Sequence, residues 1–179
     1  MSSNNCSNTV AVIGAGAAGL LAAVTAARAG ANVILIERTS DGGRKILISG
    51  GGRCNILPGH AQPQLYVTDS SPNTLRKILR SWPLHEQRAF FEHELGMPLE
   101  LDPEPGNLFP ASNRARDVRD ILVARIREAG ASIWFEASVV GLQPDSGQWQ
   151  IELENAPSLT AACVVLATGG LSAPKTGSD

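Results

Sequence analysis

An α/β fold with a central parallel sheet is predicted by three features of this 179-residue chain. A β-branched run leads into a glycine-rich turn and a helix of small residues. A second apolar strand follows that helix directly. A third strand of the buried type returns far downstream, after a long insertion. The composition agrees with one packed domain: 43% hydrophobic and 18% charged residues are ordinary for a globular protein and exclude low-complexity disorder. The length suits one good core, or one domain with an insertion, and hardly two full domains.

The elements follow in order. Residues 1–8 are polar and read as a disordered tail, so the domain covers 9–179; the tail lacks the basic and apolar regions of a signal peptide. Thr9–Ile13 (TVAVI) is a buried strand, and Leu20–Ala29 a helix that stops at Gly30, a natural residue just past a helix end. Asn32–Ile36 (NVILI) is a second buried strand. Thr39–Asn55 has no sustained period and reads as an ordered loop with at most a short helical turn.

A helical insertion is expected over about residues 56–112. Ser71-Pro72 starts one helix, running to about Arg80, and a second covers about Pro83–Leu95, presenting Leu84, Phe90, Phe91 and Leu95 to a core. Asp102–Asn107 is a turn. Asn113 is expected to cap an amphipathic helix that carries Val118, Ile121, Leu122, Ile126 and Ala129 and ends at Gly130. Ser132–Ala137 and Ser138–Leu142 are strand-like, and Pro144–Gly147 is a turn. Gln148–Glu154 then forms a strand of a solvent-facing hairpin. Ala162–Ala167 is a buried strand expected mid-sheet, beside the first.

Several function classes are disfavoured. Fifteen Lys+Arg against seventeen Asp+Glu leave a net charge of −2, which offers no footprint for a nucleic-acid backbone or an anionic membrane. Cys6, Cys54 and Cys163 are far apart, and His60, His85 and His93 lack metal spacing, so no metal site is expected. The most apolar stretch, Leu20–Ala27, is too short to span a bilayer. A soluble, reduced, cytoplasmic protein is the default reading.

The chemistry concentrates in Gly14-Ala15-Gly16-Ala17-Ala18-Gly19, a GxGxxG that follows a strand and opens a helix, with Glu37 at the end of the next strand. Gly14 permits the tight turn, Gly16 the approach of a pyrophosphate, and Gly19 the packing of helix on strand. The helix N-terminus offers free N–H groups to phosphates. Glu37 can accept from both hydroxyls of an adenosine ribose and repels a 2′-phosphate, leaving NAD and FAD as candidates for this site. A plain NAD domain would continue with alternating strands and helices. The glycine/basic loop, the insertion and the strand into Ala167-Thr168-Gly169-Gly170 suit a flavoprotein of two dinucleotide sites instead.

Three long motifs occur in order: Gly43-Arg-Lys-Ile-Leu-Ile-Ser-Gly-Gly-Gly-Arg-Cys-Asn55, Gly106-Asn-Leu-Phe-Pro-Ala-Ser112 and Leu166-Ala-Thr-Gly-Gly-Leu-Ser-Ala-Pro-Lys-Thr-Gly-Ser178. With them the chain resembles the BaiN/RdsA-like flavoproteins, also labelled the aminoacetone oxidase family. The resemblance implies a Rossmann-like FAD/NAD(P)-binding domain of glutathione-reductase type, with FAD as cofactor and NAD(P)H as a plausible donor. It further implies electron or hydride transfer to a small organic substrate. Members are longer, so the chain is expected to be an N-terminal portion, truncated at its C-terminus, that alone binds FAD weakly at best. A non-catalytic dinucleotide-binding fragment is the alternative.

By the same resemblance, Gly14, Ala15, Gly16, Ala17 and Ala18 line the pyrophosphate, and Glu37 with Arg38 holds the adenosine end. Arg44, Lys45, Ser49, Gly50, Gly51, Gly52, Arg53, Cys54 and Asn55 wrap toward the flavin, where cations stabilise its reduced form. Val139 or Val140 offers backbone contacts to adenine, and Thr168 and Gly169 pass close to the dinucleotide. No acid or base stands out, so catalytic residues are unassigned. Cys54, beside Arg53, reads as a buried small residue more readily than as a reactive thiol. His85-Glu86 and His93-Glu94 read as a solvated helix face. The alternating charges of Arg114–Asp120 read as a salt-bridged helix surface.

Overall fold

The structure, a computed structural model, describes residues 8–104 and 106–170. The tail before Asn8 and the motif residues after Gly170 lie outside the described residues. The chain divides into two compact units, one running to Ile46 and resuming at Leu122, the other spanning Leu47–Ile121.

In the first unit β1 (Thr9–Ile13), helix α1 (Ala17–Arg28) and β2 (Asn32–Ile36) form the expected βαβ unit. The small residues of α1 bring it close to β1 and β2, and Leu20, Ala23, Val24 and Ala27 are buried there. Gly30 follows the helix at φ 86°, a conformation that costs glycine nothing. β6 (Ser132–Trp134) pairs parallel with β2, and β10 (Cys163–Leu166) pairs parallel with β1, giving the strand order β10-β1-β2-β6. The late strand thus lies beside the first as expected, though not mid-sheet. Among the described residues its other edge has no partner, and Leu166 is 65% exposed.

The expected hairpin is a three-stranded meander of β7 (Val139–Asp145), β8 (Gln148–Leu153) and β9 (Ala156–Ala161). Its first turn has Ser146 and Gly147 both at positive φ, the two-residue geometry whose twist matches antiparallel strands. The meander packs on the parallel sheet through Ile151, Leu153 and Ala161 against Ala11 and Ile36.

The second unit holds α3 (Pro72–Ser81), which starts as expected, with the Ser71 hydroxyl accepting from the Thr74 N–H. The helix from Leu84 is α only to Ala89 (α4). A π-helical turn over Phe90–Glu94 then buries Phe91, and Leu95 is buried just beyond it. A three-stranded antiparallel sheet of β3 (Leu57–Pro58), β5 (Asn107–Pro110) and β4 (Leu99–Asp102) accompanies the helices, so the insertion is mixed rather than purely helical. The short α2 (Arg44–Ile48) and a 3-10 turn over Ser49–Gly52 occupy the glycine/basic loop. Helix α5 (Ala115–Glu128) buries Ala115, Val118, Leu122, Val123 and Ile126, while Ala129 is exposed. Asn113 does not cap it: at φ 53° it lacks the extended backbone an N-cap needs. No helix among the described residues is long and apolar enough to cross a membrane.

Candidate functional site

A cleft of about 980 Å³ opens in the first unit, at the carboxyl ends of β1, β2 and β10. Ligands of open parallel sheets bind at such strand ends. Gly14 continues β1 at φ 99°, its N–H donating to the Ile36 carbonyl at 2.8 Å. A Cβ on Gly14 would lie 2.6 Å from the Ala167 carbonyl oxygen, and one on Gly19 only 1.8 Å from the Gly14 oxygen. Both glycines are therefore demanded by chain packing. Gly16 differs, because a Cβ there would meet nothing within 4 Å. It opens α1 without any side-chain cap, so the first N–H groups of the helix lack intrahelical partners. Space and donors coincide at this point, as a phosphate group requires.

Glu37 stands beside them. Its Oε2 accepts from the Ala15 N–H at 2.6 Å and its Oε1 from the Thr39 N–H at 2.9 Å, which fixes the carboxylate before any ligand arrives. Behind the glycine loop, Gly42 donates to the Thr39 hydroxyl and Gly43 to the Ala15 carbonyl. Ala15 is fully buried with both backbone groups engaged, so it braces the loop and is absent from the cleft wall. On the far side, Lys45 donates from Nζ to the Gly170 carbonyl at 2.5 Å. Arg44 faces Asp41 at 3.8 Å.

Fourteen of the residues expected at the cofactor line this cleft: Gly14, Gly16, Ala17, Ala18, Glu37, Arg38, Arg44, Lys45, Val139, Val140, Ala167, Thr168, Gly169 and Gly170. Gly19 sits under the loop as a packing residue. Sequence reasoning missed Thr39, Gly42, Ser138 and Glu154, which also line it. Two glycines directly after Asp41 were the available signal for the Thr39–Gly43 turn; nothing in the sequence marked Glu154.

Residues Ser49–Asn55 belong to the second unit. There Arg53 donates to Asp102 at 2.7 Å and lies over the Phe109 ring, 4.2 Å from its centroid. That bond holds the Asp102 carboxyl below its usual range. A Cβ on Gly50, at φ 55°, would lie 2.9 Å from Phe109. The second motif is thus the scaffold on which the end of the first is built. Cys54 is buried, and burial pushes its thiol up while a hydrogen bond with Ser49 opposes this. Cys54 is thus packed as a small buried residue. No cluster of metal-ligating side chains occurs among the described residues.

The family model described as HI0933-like protein Rossmann domain matches residues 8–179, and the chain belongs to that family, the one its three motifs resemble. It is 31% identical over 176 residues to a ribosomal RNA dihydrouridine synthase of Escherichia coli (strain K12), covering 94% of this chain and 41% of that protein. It is 30% identical over 174 residues to a 3-dehydro-bile acid delta(4,6)-reductase of Clostridium scindens, covering 96% and 41%. The chain spans about 41% of the length of these relatives. Among solved structures, the 3-ketosteroid-delta4-(5alpha)-dehydrogenase from Rhodococcus jostii RHA1 shares the fold, with TM-score 0.63 at 17% identity over 94% of this chain and 47% of that one. Thermovibrio ammonificans THI4 does so with TM-score 0.56 at 20% identity over 90% and 57%.

Proposed function

We propose that the cleft binds FAD and that the chain serves a flavin-dependent oxidoreductase moving electrons or hydride between NAD(P)H and a small organic substrate. The observation that carries this reading is the Glu37 carboxylate, held by two backbone N–H groups beside the open space at Gly16. In this reading Ala17 and Ala18 at the start of α1 bind the pyrophosphate by their N–H groups. Glu37 uses its remaining lone pairs on the ribose hydroxyls, and its charge disfavours a 2′-phosphate there. Ser138–Val140 meets the adenine, and Thr168–Gly170 with Lys45 meets the other half of the dinucleotide. When bound, FAD supplies two-electron chemistry; the protein binds, orients and screens it from water.

One relative is named for the synthesis of dihydrouridine and the other as a delta(4,6)-reductase. We take an unsaturated organic compound as the substrate class, presented as a small molecule. The near-neutral charge argues against a nucleic-acid partner, although one relative acts on ribosomal RNA by name. A cytoplasmic setting belongs to the proposal and is supported by the free thiols Cys54 and Cys163. A second reading, a dinucleotide-binding piece without turnover of its own, is favoured by the 41% coverage of the relatives. The absorbance spectrum of the purified chain mixed with FAD tests the first reading: bound oxidised flavin supports it, and an unchanged free-flavin spectrum contradicts it.

A further inference from the structure

We infer that Lys45 is the positioning residue that sets the redox preference of this cleft, by pinning the Thr168–Gly170 segment and placing on it an ammonium that forms no salt bridge among the described residues. The inference rests on the FAD reading above and adds a role for one residue within it. The glycine/basic loop contributes three cations, Arg44, Lys45 and Arg53, and the structure separates them. Arg53 is spent on Asp102, and Arg44 faces Asp41. Lys45 donates to the neutral carbonyl of Gly170, and the position a Cβ would take on Gly169 lies 3.6 Å from its Nζ. Lys45 is half-buried, and with Gly169 and Gly170 it lines the cleft. A charge in such a place is screened less than one on an open surface.

The consequence follows from charge balance. Two electrons and one proton, delivered together as a hydride from a nicotinamide or separately from an inorganic reductant, convert the neutral oxidised isoalloxazine ring into its reduced anion. The pyrophosphate charge is the same in both forms. Attraction of a fixed ammonium to the pyrophosphate therefore cancels between the two forms, while its attraction to the reduced ring does not, so the ammonium favours the reduced cofactor over the oxidised one. Lys45 has three donors and spends one on Gly170, so pin and charge coexist in one side chain.

Equilibrium titrations of the chain with oxidised FAD and, anaerobically, with dithionite-reduced FAD test this. The ratio of the two dissociation constants gives the shift in potential on binding. Lys45→Met should lose affinity for reduced FAD at least tenfold more than for oxidised FAD, equal to about 30 mV for a two-electron couple. Lys45→Arg should keep the wild-type ratio, as should Lys77→Met, which removes an exposed charge from α3. Lys45→Gln keeps a donor without the charge, so it should lose the ratio yet retain hydrogen-exchange protection across residues 168–170, which Lys45→Met should lose. A wild-type ratio in both Lys45→Met and Lys45→Gln overturns the inference, as does an equal change in Lys77→Met. Failure of the wild-type chain to bind either form overturns the FAD reading itself.

Discussion

Three glycines of one hexapeptide do two different jobs, packing for Gly14 and Gly19 and open space for Gly16, and substitution should separate them. A methyl group on Gly19 would collide with the Gly14 carbonyl at 1.8 Å, and one on Gly14 with Ala167, so Gly14→Ala and Gly19→Ala should lower the melting temperature by several degrees. A Cβ on Gly16 meets nothing within 4 Å, so Gly16→Val causes no such collision. It should melt close to wild type and lose FAD binding, as thermal unfolding beside a FAD titration would show. Glu37→Ala should weaken FAD binding by about 1–3 kcal/mol, the range for charge-assisted hydrogen bonds. Residue types and spacing made the glycines and Glu37 legible in the sequence. The fate of Arg53 was not: the carboxylate that takes it, Asp102, is 49 positions away and became a neighbour only through β4. Because the Asp102 carboxyl is held below its ordinary value, the pair contributes stability above about pH 4 and loses it as the pH falls through the folded-state value. Asp102→Asn should flatten this part of the acid-unfolding curve followed by circular dichroism.

At the scale of elements, the strands and helices whose signals are local were legible. β1 and β2 carry their own apolar runs, Ser71-Pro72 marks the start of α3, and Gly30 and Gly130 mark two helix ends. Ser71→Ala should cost about 1 kcal/mol, expressed as faster hydrogen exchange in the first turn of α3, while β1 is unaffected. Elements stabilised by partners distant in sequence were not legible. β4 and β5 are four residues each and exist through their pairing with one another, and β9 (APSLTA) has no apolar alternation of its own. The π-helical turn at Phe90–Glu94 answers to the burial of Phe91 and Leu95, which a helical wheel does not anticipate. The cleft was readable wherever it is made of motif residues. Glu154 enters it through a strand pairing, beside Ser138, whose carbonyl accepts the Glu154 N–H.

At the scale of the whole molecule, the outer edge of β10 has no strand partner among the described residues, and this edge and the exposed Leu166 leave apolar surface beside the cleft. The 179-residue chain should therefore self-associate, release FAD during gel filtration, and oxidise NADH far more slowly than about 1 per second. A monomer that retains stoichiometric FAD and turns over at that rate would show that the described unit is sufficient by itself. The central claim, that the cleft at the ends of β1, β2 and β10 is a flavin-dinucleotide site, is tested most directly by parallel equilibrium titrations with FAD and with NADH. Wild type should bind FAD more tightly than NADH, and Gly16→Val should bind neither. Tighter binding of NADH than of FAD, or binding of neither by wild type, would contradict it.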